Sequence, residues 1–238
     1  MGTSADRVGG SGGAWTPLKY AATSYTNVAA GGPSSVTAGR RVLTRHVPVL
    51  GGVARAVAGA RAGRAGGQRL ASVLAGLATN GLGVALADQG LGHLVGSDRL
   101  AVLDGLASLV AGDGADVDGQ AARDAMFDVL AELFPDADSW ADLDAVRVDA
   151  DDILNLLELF LARYVYNRIP VIAERLARLT DPVTAQRKEE DLQRMVESLV
   201  HLQLPSDALR VDWSGTEGRQ IIDDSLRAVY DALAVLED

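Results

Sequence analysis

The chain contains no cysteine. This excludes a disulfide frame, a thiolate nucleophile and a cysteine-ligated metal, and it suits a reducing cytoplasm. Histidine is scarce. His46, His93 and His201 are far apart in the sequence. None has a ligand-type residue three or four positions on, so no metal site is expected. No secretory apolar core is present near the start, although the Arg- and Ser-containing opening superficially resembles a transit peptide. Acid is nearly missing from the first third. Residues 1–80 hold nine Lys/Arg against one carboxylate, Asp6, for a charge of +8; residues 81–238 hold 13 Lys/Arg and 31 Asp/Glu, for −18. The net charge of −10 therefore describes neither part.

Long hydrophobic runs are also missing, with one borderline case. Residues 70–87 (LASVLAGLATNGLGVALA) carry no charge over 18 positions, about the minimum for a membrane span. Gly76, Gly81 and Gly83 make a poor lipid-facing helix, and Asn80-Gly81 marks a break between two short helices. A membrane-bound state is not expected. The glycine pairs at 81–83 and 90–92 follow no strand and precede no Lys-Ser/Thr, so they do not make a nucleotide loop.

What is present is helical. The strongest stretch is Asp149–Leu179, with Ile153, Leu157, Phe160, Leu161, Tyr164, Ile172, Leu176 and Leu179 at helical spacing. Asp149 is placed to cap it and Asp151 and Asp152 suit the dipole. Pro170 predicts a kink or restart near Arg168–Pro170. Ser97, Ser139 with Asp142, Asp181-Pro182 and Ser214 with Glu217 read as further helix starts. No segment alternates with period two long enough for a strand. The fold class is all-α, a multi-helix bundle behind a flexible Gly/Arg-rich N-terminal arm. Three consecutive segments are expected: an arm over 1–48, a basic Ala/Gly-rich helical linker over 49–95, and an acidic all-α domain of about six to eight helices over 96–238.

Chemistry is hard to find. There is no nucleophile elbow, HExxH or Walker sequence. The acids cluster at helix starts, where capping explains them. The Asp-rich run at 112–119 lacks the distal Glu of a calcium loop. Arg55, Arg61, Arg64 and Arg69 are expected to face water or the acidic body; the alternative is salt-sensitive contact with phosphates. No enzyme activity and no cofactor are expected. At the opening, Asp6 occupies the position that N-myristoylation requires to be Ser or Thr, which excludes lipidation. The small second residue favours removal of Met1 and leaves Gly2 as an unhindered amine.

Several motifs carry a family resemblance. They are Asp118-Gly119, Ala122–Ala125 (ARDA), Leu130–Leu133 (LAEL), Phe134–Asp138 (FPDAD) and Tyr164–Arg168 (YVYNR). With the opening MGTS and the Gly/Arg/Ala-rich middle, the chain resembles the QatB family of the bacterial Qat anti-phage system. The resemblance implies a non-enzymatic component that acts beside an ATPase, a QueC-like enzyme related to 7-cyano-7-deazaguanine synthases, and a TatD-like nuclease. QueC-like enzymes activate a carboxylate with ATP and pass it to an amine. The resemblance therefore points to Gly2 as the site of conjugation, with Thr3, Ser4 and Trp15 as partner contacts. The alternative is an unmodified adaptor or effector that uses the basic leader on nucleic acid, or residues 70–87 at a membrane.

Overall fold

A computed structural model describes residues 12–112, 114–204 and 207–236. It contains twelve α-helices and no strand among the described residues. They are α1 Gly12–Asn27, α2 Pro33–Val49, α3 Val53–Gly59, α4 Arg61–Asn80, α5 Leu82–Asp88, α6 Arg99–Ala111, α7 Val117–Leu133, α8 Trp140–Ala145, α9 Ala150–Asn167, α10 Pro170–Leu176, α11 Pro182–Glu197 and α12 Thr216–Ala234. The all-α expectation is met, and seven helices follow residue 96.

The helix signals act largely as read. Asp149 caps α9 in a reciprocal box with Asp152, and Ser139 does the same with Asp142 for α8. Asp181 caps α11 with Pro182 in its first turn. α4 ends at Asn80, and Gly81 takes φ of +82°. The Pro170 restart is real: α9 stops at Asn167 and α10 begins at Pro170. Two starts shift. Asp98, not Ser97, caps α6 by accepting from the Ala101 amide. Ser214 does not cap α12; its hydroxyl is bonded to Asp212, whose carboxylate accepts from the Gly215 amide, while Glu217 accepts from the Asp212 amide. A carboxylate is the stronger acceptor for a helix start.

The chain divides into two compact units that do not follow its linear order. Unit 1 draws on the described parts of Met1–Gly59, Ile169–Leu199 and Arg227–Asp238; unit 2 on Ala60–Arg168 and Val200–Leu226. Neither coincides with the consecutive segments 1–48, 49–95 and 96–238, because helices distant in sequence share a core.

In unit 1, α1 packs on α2 and α10, and α2 packs on α11. Residues 12–48, expected from their composition to belong to a flexible arm, are helical apart from a short turn. Leu18, Ala22, Tyr25, Val42 and Leu43 are buried. The apolar residues are small and interspersed with Ser and Thr, which hides a stripe that only the partner helices complete. In unit 2, α9 packs on α7 and α4, and α4 also packs on α5, α6 and α7. Within the segment read as a basic helical linker, α4 is thus a central helix of unit 2. Its glycines admit neighbours: a Cβ on Gly63 would overlap the Tyr164 ring, and one on Gly66 would lie 2.8 Å from Phe160 Cζ and 3.2 Å from the Val110 carbonyl. Among the described residues no helix is long and apolar enough to cross a membrane.

Candidate functional site

Asp118, near the start of α7, collects groups from two other helices. Its Oδ2 accepts from the Ala62 amide at 2.7 Å. Its Oδ1 accepts from the Tyr164 hydroxyl at 2.5 Å and pairs with Arg168 Nε at 3.3 Å. Ala60, the residue flanking α4, offers no side-chain cap. Asp118 supplies one from a different helix, placing a carboxylate at the positive end of the α4 dipole. Arg168 also lies over the Tyr164 ring, 5.6 Å from its centroid, and Asn167 Nδ2 donates to the Ala121 carbonyl. Asp118 and the Tyr164–Arg168 motif are therefore one cluster that fixes α4, α7 and α9. Arg123 of the ARDA motif pairs with Asp104 of α6. These motif residues hold unit 2 together.

A second cluster fixes α1 in unit 1. Lys188 of α11 is fully buried. Its Nζ donates to the carbonyls of Tyr25 and Val28, at 2.8 and 2.6 Å, at the end of α1 where carbonyls lack helical partners. The ammonium sits 4.7 Å from the Tyr25 ring centroid. In return, the Tyr25 hydroxyl donates to the Lys188 carbonyl at 2.6 Å. Burial lowers the Lys188 pKa, opposed by the charge of Asp191. Burial also raises the Tyr25 pKa well above its ordinary value. Sequence reading missed this clasp. Its one signal was a lysine on an apolar stripe, since Lys188, Leu192 and Val196 share the buried face of α11.

The predicted site residues fall as follows. Gly2, Thr3 and Ser4 lie outside the described residues. Trp15 is half-buried in α1, with the Lys19 ammonium 5.9 Å from its ring centroid. The chain has only two lysines: Lys19 is exposed and Lys188 is enclosed. Of the leader arginines, Arg64 pairs with Asp223 and Arg69 donates to the Leu109 carbonyl, while Arg55 and Arg61 are exposed. An open cleft of about 560 Å³ in unit 2 is lined by Gln68, Arg69, Ser72, Gln89, Asp212 and Trp213. Its polar groups are largely engaged in structure. Gln68 donates to the Trp213 and Gly215 carbonyls, Ser72 to the Gln68 carbonyl, and Asp212 accepts from the Ser214 hydroxyl and the Gly215 amide. No group of three or more His, Asp or Glu among the described residues is placed to hold a metal.

The family model described as Qat anti-phage system associated protein QatB matches residues 51–233. No curated protein and no solved structure matches.

Proposed function

The chain belongs to the QatB family, a component of an anti-phage defence system, and on that premise we propose that it is a scaffold and protein substrate rather than an enzyme. Its acceptor is the α-amine of Gly2, freed by removal of Met1, and the donor is a deazaguanine carboxylate activated by the QueC-like partner. ATP converts the carboxylate to an acyl adenylate with release of pyrophosphate. The Gly2 nitrogen attacks the acyl carbon, AMP leaves, and the ammonium proton passes to solvent. The product is an amide. The ATPase and TatD-like nuclease are the further partners that the helical body engages, in the bacterial cytoplasm.

The observation that carries this reading is the family match together with the opening Met1-Gly2. The supply of amines supports it. Beside the N-terminus only Lys19 and Lys188 exist, and Lys188 is spent inside unit 1. The clasp also anchors α1, and ten residues precede it once Met1 is gone. Fully extended, they reach at most about 35 Å, enough to enter an enclosed active site while unit 1 stays folded.

The test is the intact mass of the chain purified with and without an active QueC-like partner and its precursor. The expected gain is one deazaguanine carboxylic acid less one water. An unchanged mass with active partner present would overturn conjugation. Gly2→Glu, which blocks Met1 removal, is expected to abolish the gain and leave the melting curve unchanged.

A further inference from the structure

We propose that a socket on unit 2 docks a basic segment of a partner protein through one apolar side chain. The floor is Gly83 of α5, and the walls are Val95 and Trp140. A Cβ built on Gly83 would lie 3.9 Å from Val95 Cγ1 and 3.9 Å from Trp140 Cζ2. Both are ordinary van der Waals distances, so the missing side chain leaves a gap between two apolar walls. Val84 and Val95 are each 47% exposed, and Trp140 is half-buried. The indole N–H of Trp213 is bonded to the Ala208 carbonyl, whereas that of Trp140 has no acceptor among the described residues. A partly exposed tryptophan with an unused donor suits an interface.

The charge around the socket is mostly of one sign. Residues 70–87, which take in the second half of α4 and all of α5 but its last residue, carry no charged group. Residues 88–99 and 136–147 hold Asp88, Asp98, Asp136, Asp138, Asp142 and Asp144 against Arg99, Arg147 and the imidazole of His93. Asp88 lies one turn beyond Val84 on α5, and Asp144 one turn beyond Trp140 on α8. Arg147 spends its Nη1 on the main-chain carbonyls of Asp144 and Val146. Hydrogen bonds from the Ser139 hydroxyl and the Asp138 and Ser139 amides hold the Asp142 carboxyl below the usual range, so it stays ionised. Such a rim repels phosphate and anionic lipid headgroups and attracts a polypeptide that carries Lys or Arg.

The test uses the full chain and three labelled model peptides of equal length. One has Lys with Leu at helical spacing, one has Ser in place of Leu, and one has Glu in place of Lys. The Lys–Leu peptide is expected to bind at low salt, the Lys–Ser peptide at least about tenfold more weakly, and the Glu–Leu peptide not at all. Gly83→Ala puts a methyl on the socket floor. It is expected to weaken Lys–Leu binding several-fold while the melting temperature stays or rises, because alanine favours the helix. Gly83→Leu is expected to weaken it further; circular dichroism reports folding, and if that variant is unfolded Gly83→Ala alone decides. Asp88→Asn/Asp144→Asn is expected to weaken binding and flatten its salt dependence. Val183→Ser, at a comparably exposed valine of α11, is expected to bind as wild type does. No Lys–Leu binding, equal affinity for the Lys–Leu and Lys–Ser peptides, wild-type affinity in Gly83→Ala, or an unchanged salt dependence in the aspartate pair overturns the socket. A wild-type dimer in sedimentation that Gly83→Leu disperses overturns it too, in favour of a second copy.

Discussion

Asp118 shows how one side chain can carry a motif. Its carboxylate meets the α4 amide, the Tyr164 hydroxyl and Arg168, so truncation leaves three donors short of an acceptor in a mostly buried place. Asp118→Ala is expected to lower stability by about 2–3 kcal/mol, with Asp118→Asn intermediate because it keeps an acceptor oxygen. Urea denaturation checks this, and equal stability of all three proteins would contradict it. Tyr25 gives a pH signature. Its folded pKa lies above its unfolded value near 10, so the folded state holds a proton that the unfolded state loses at alkaline pH. The stability it contributes is fully present below pH 10 and declines above it. Lys188 works in the opposite direction. Its folded pKa is depressed, so its destabilising effect disappears as pH rises toward the ordinary lysine value. It is common to wild type and Tyr25→Phe and largely cancels between them. The stability difference between those two proteins is expected to shrink by roughly 1.4 kcal/mol per pH unit above pH 10. A difference independent of pH would contradict the enclosed tyrosine.

Among the elements, α9 was the most legible. Its apolar stripe, its Asp149 cap and the stop before Pro170 were all readable, because each depends on residues within a few turns. α1 and α4 were not. α1 carries a narrow stripe diluted by Ala, Ser and Thr, and what holds it, the packing on α2 and α10 and the bonds from Lys188 of α11, comes from other helices. α4 reads as part of a basic helical linker because Gly and Ala give no broad apolar face that announces a core helix. In the fold its glycines permit close approach by Tyr164 and Phe160. The same gap limited the site: the family motifs were visible as residues, but their convergence on Asp118 depends on tertiary packing. Two substitutions separate packing from propensity. Gly63→Ala gains about 1 kcal/mol of helix propensity but overlaps the Tyr164 ring, and overpacking costs about 1–3 kcal/mol; net destabilisation is expected. Gly13→Ala in α1 meets nothing within 4 Å and is expected to be neutral or stabilising by at most about 1 kcal/mol. Thermal melts of the two decide; stabilisation by both would mean that α4 is not closely packed.

For the whole molecule, the fold and the proposed chemistry fall at different places in the chain. The matched region, residues 51–233, holds the Asp118 cluster and most of the helices, while the proposed acceptor stands at Gly2. A basic opening on an acidic body suits a protein whose ends meet different partners, and scarcity of lysine leaves few competing amines. The most direct measurement is peptide-resolved mass spectrometry of the full chain produced with the active QueC-like partner. One deazaguanine acyl group is expected on the Gly2 α-amine, with Lys19 and Lys188 unmodified. An unmodified N-terminal peptide, or the group on Lys19, would contradict the account.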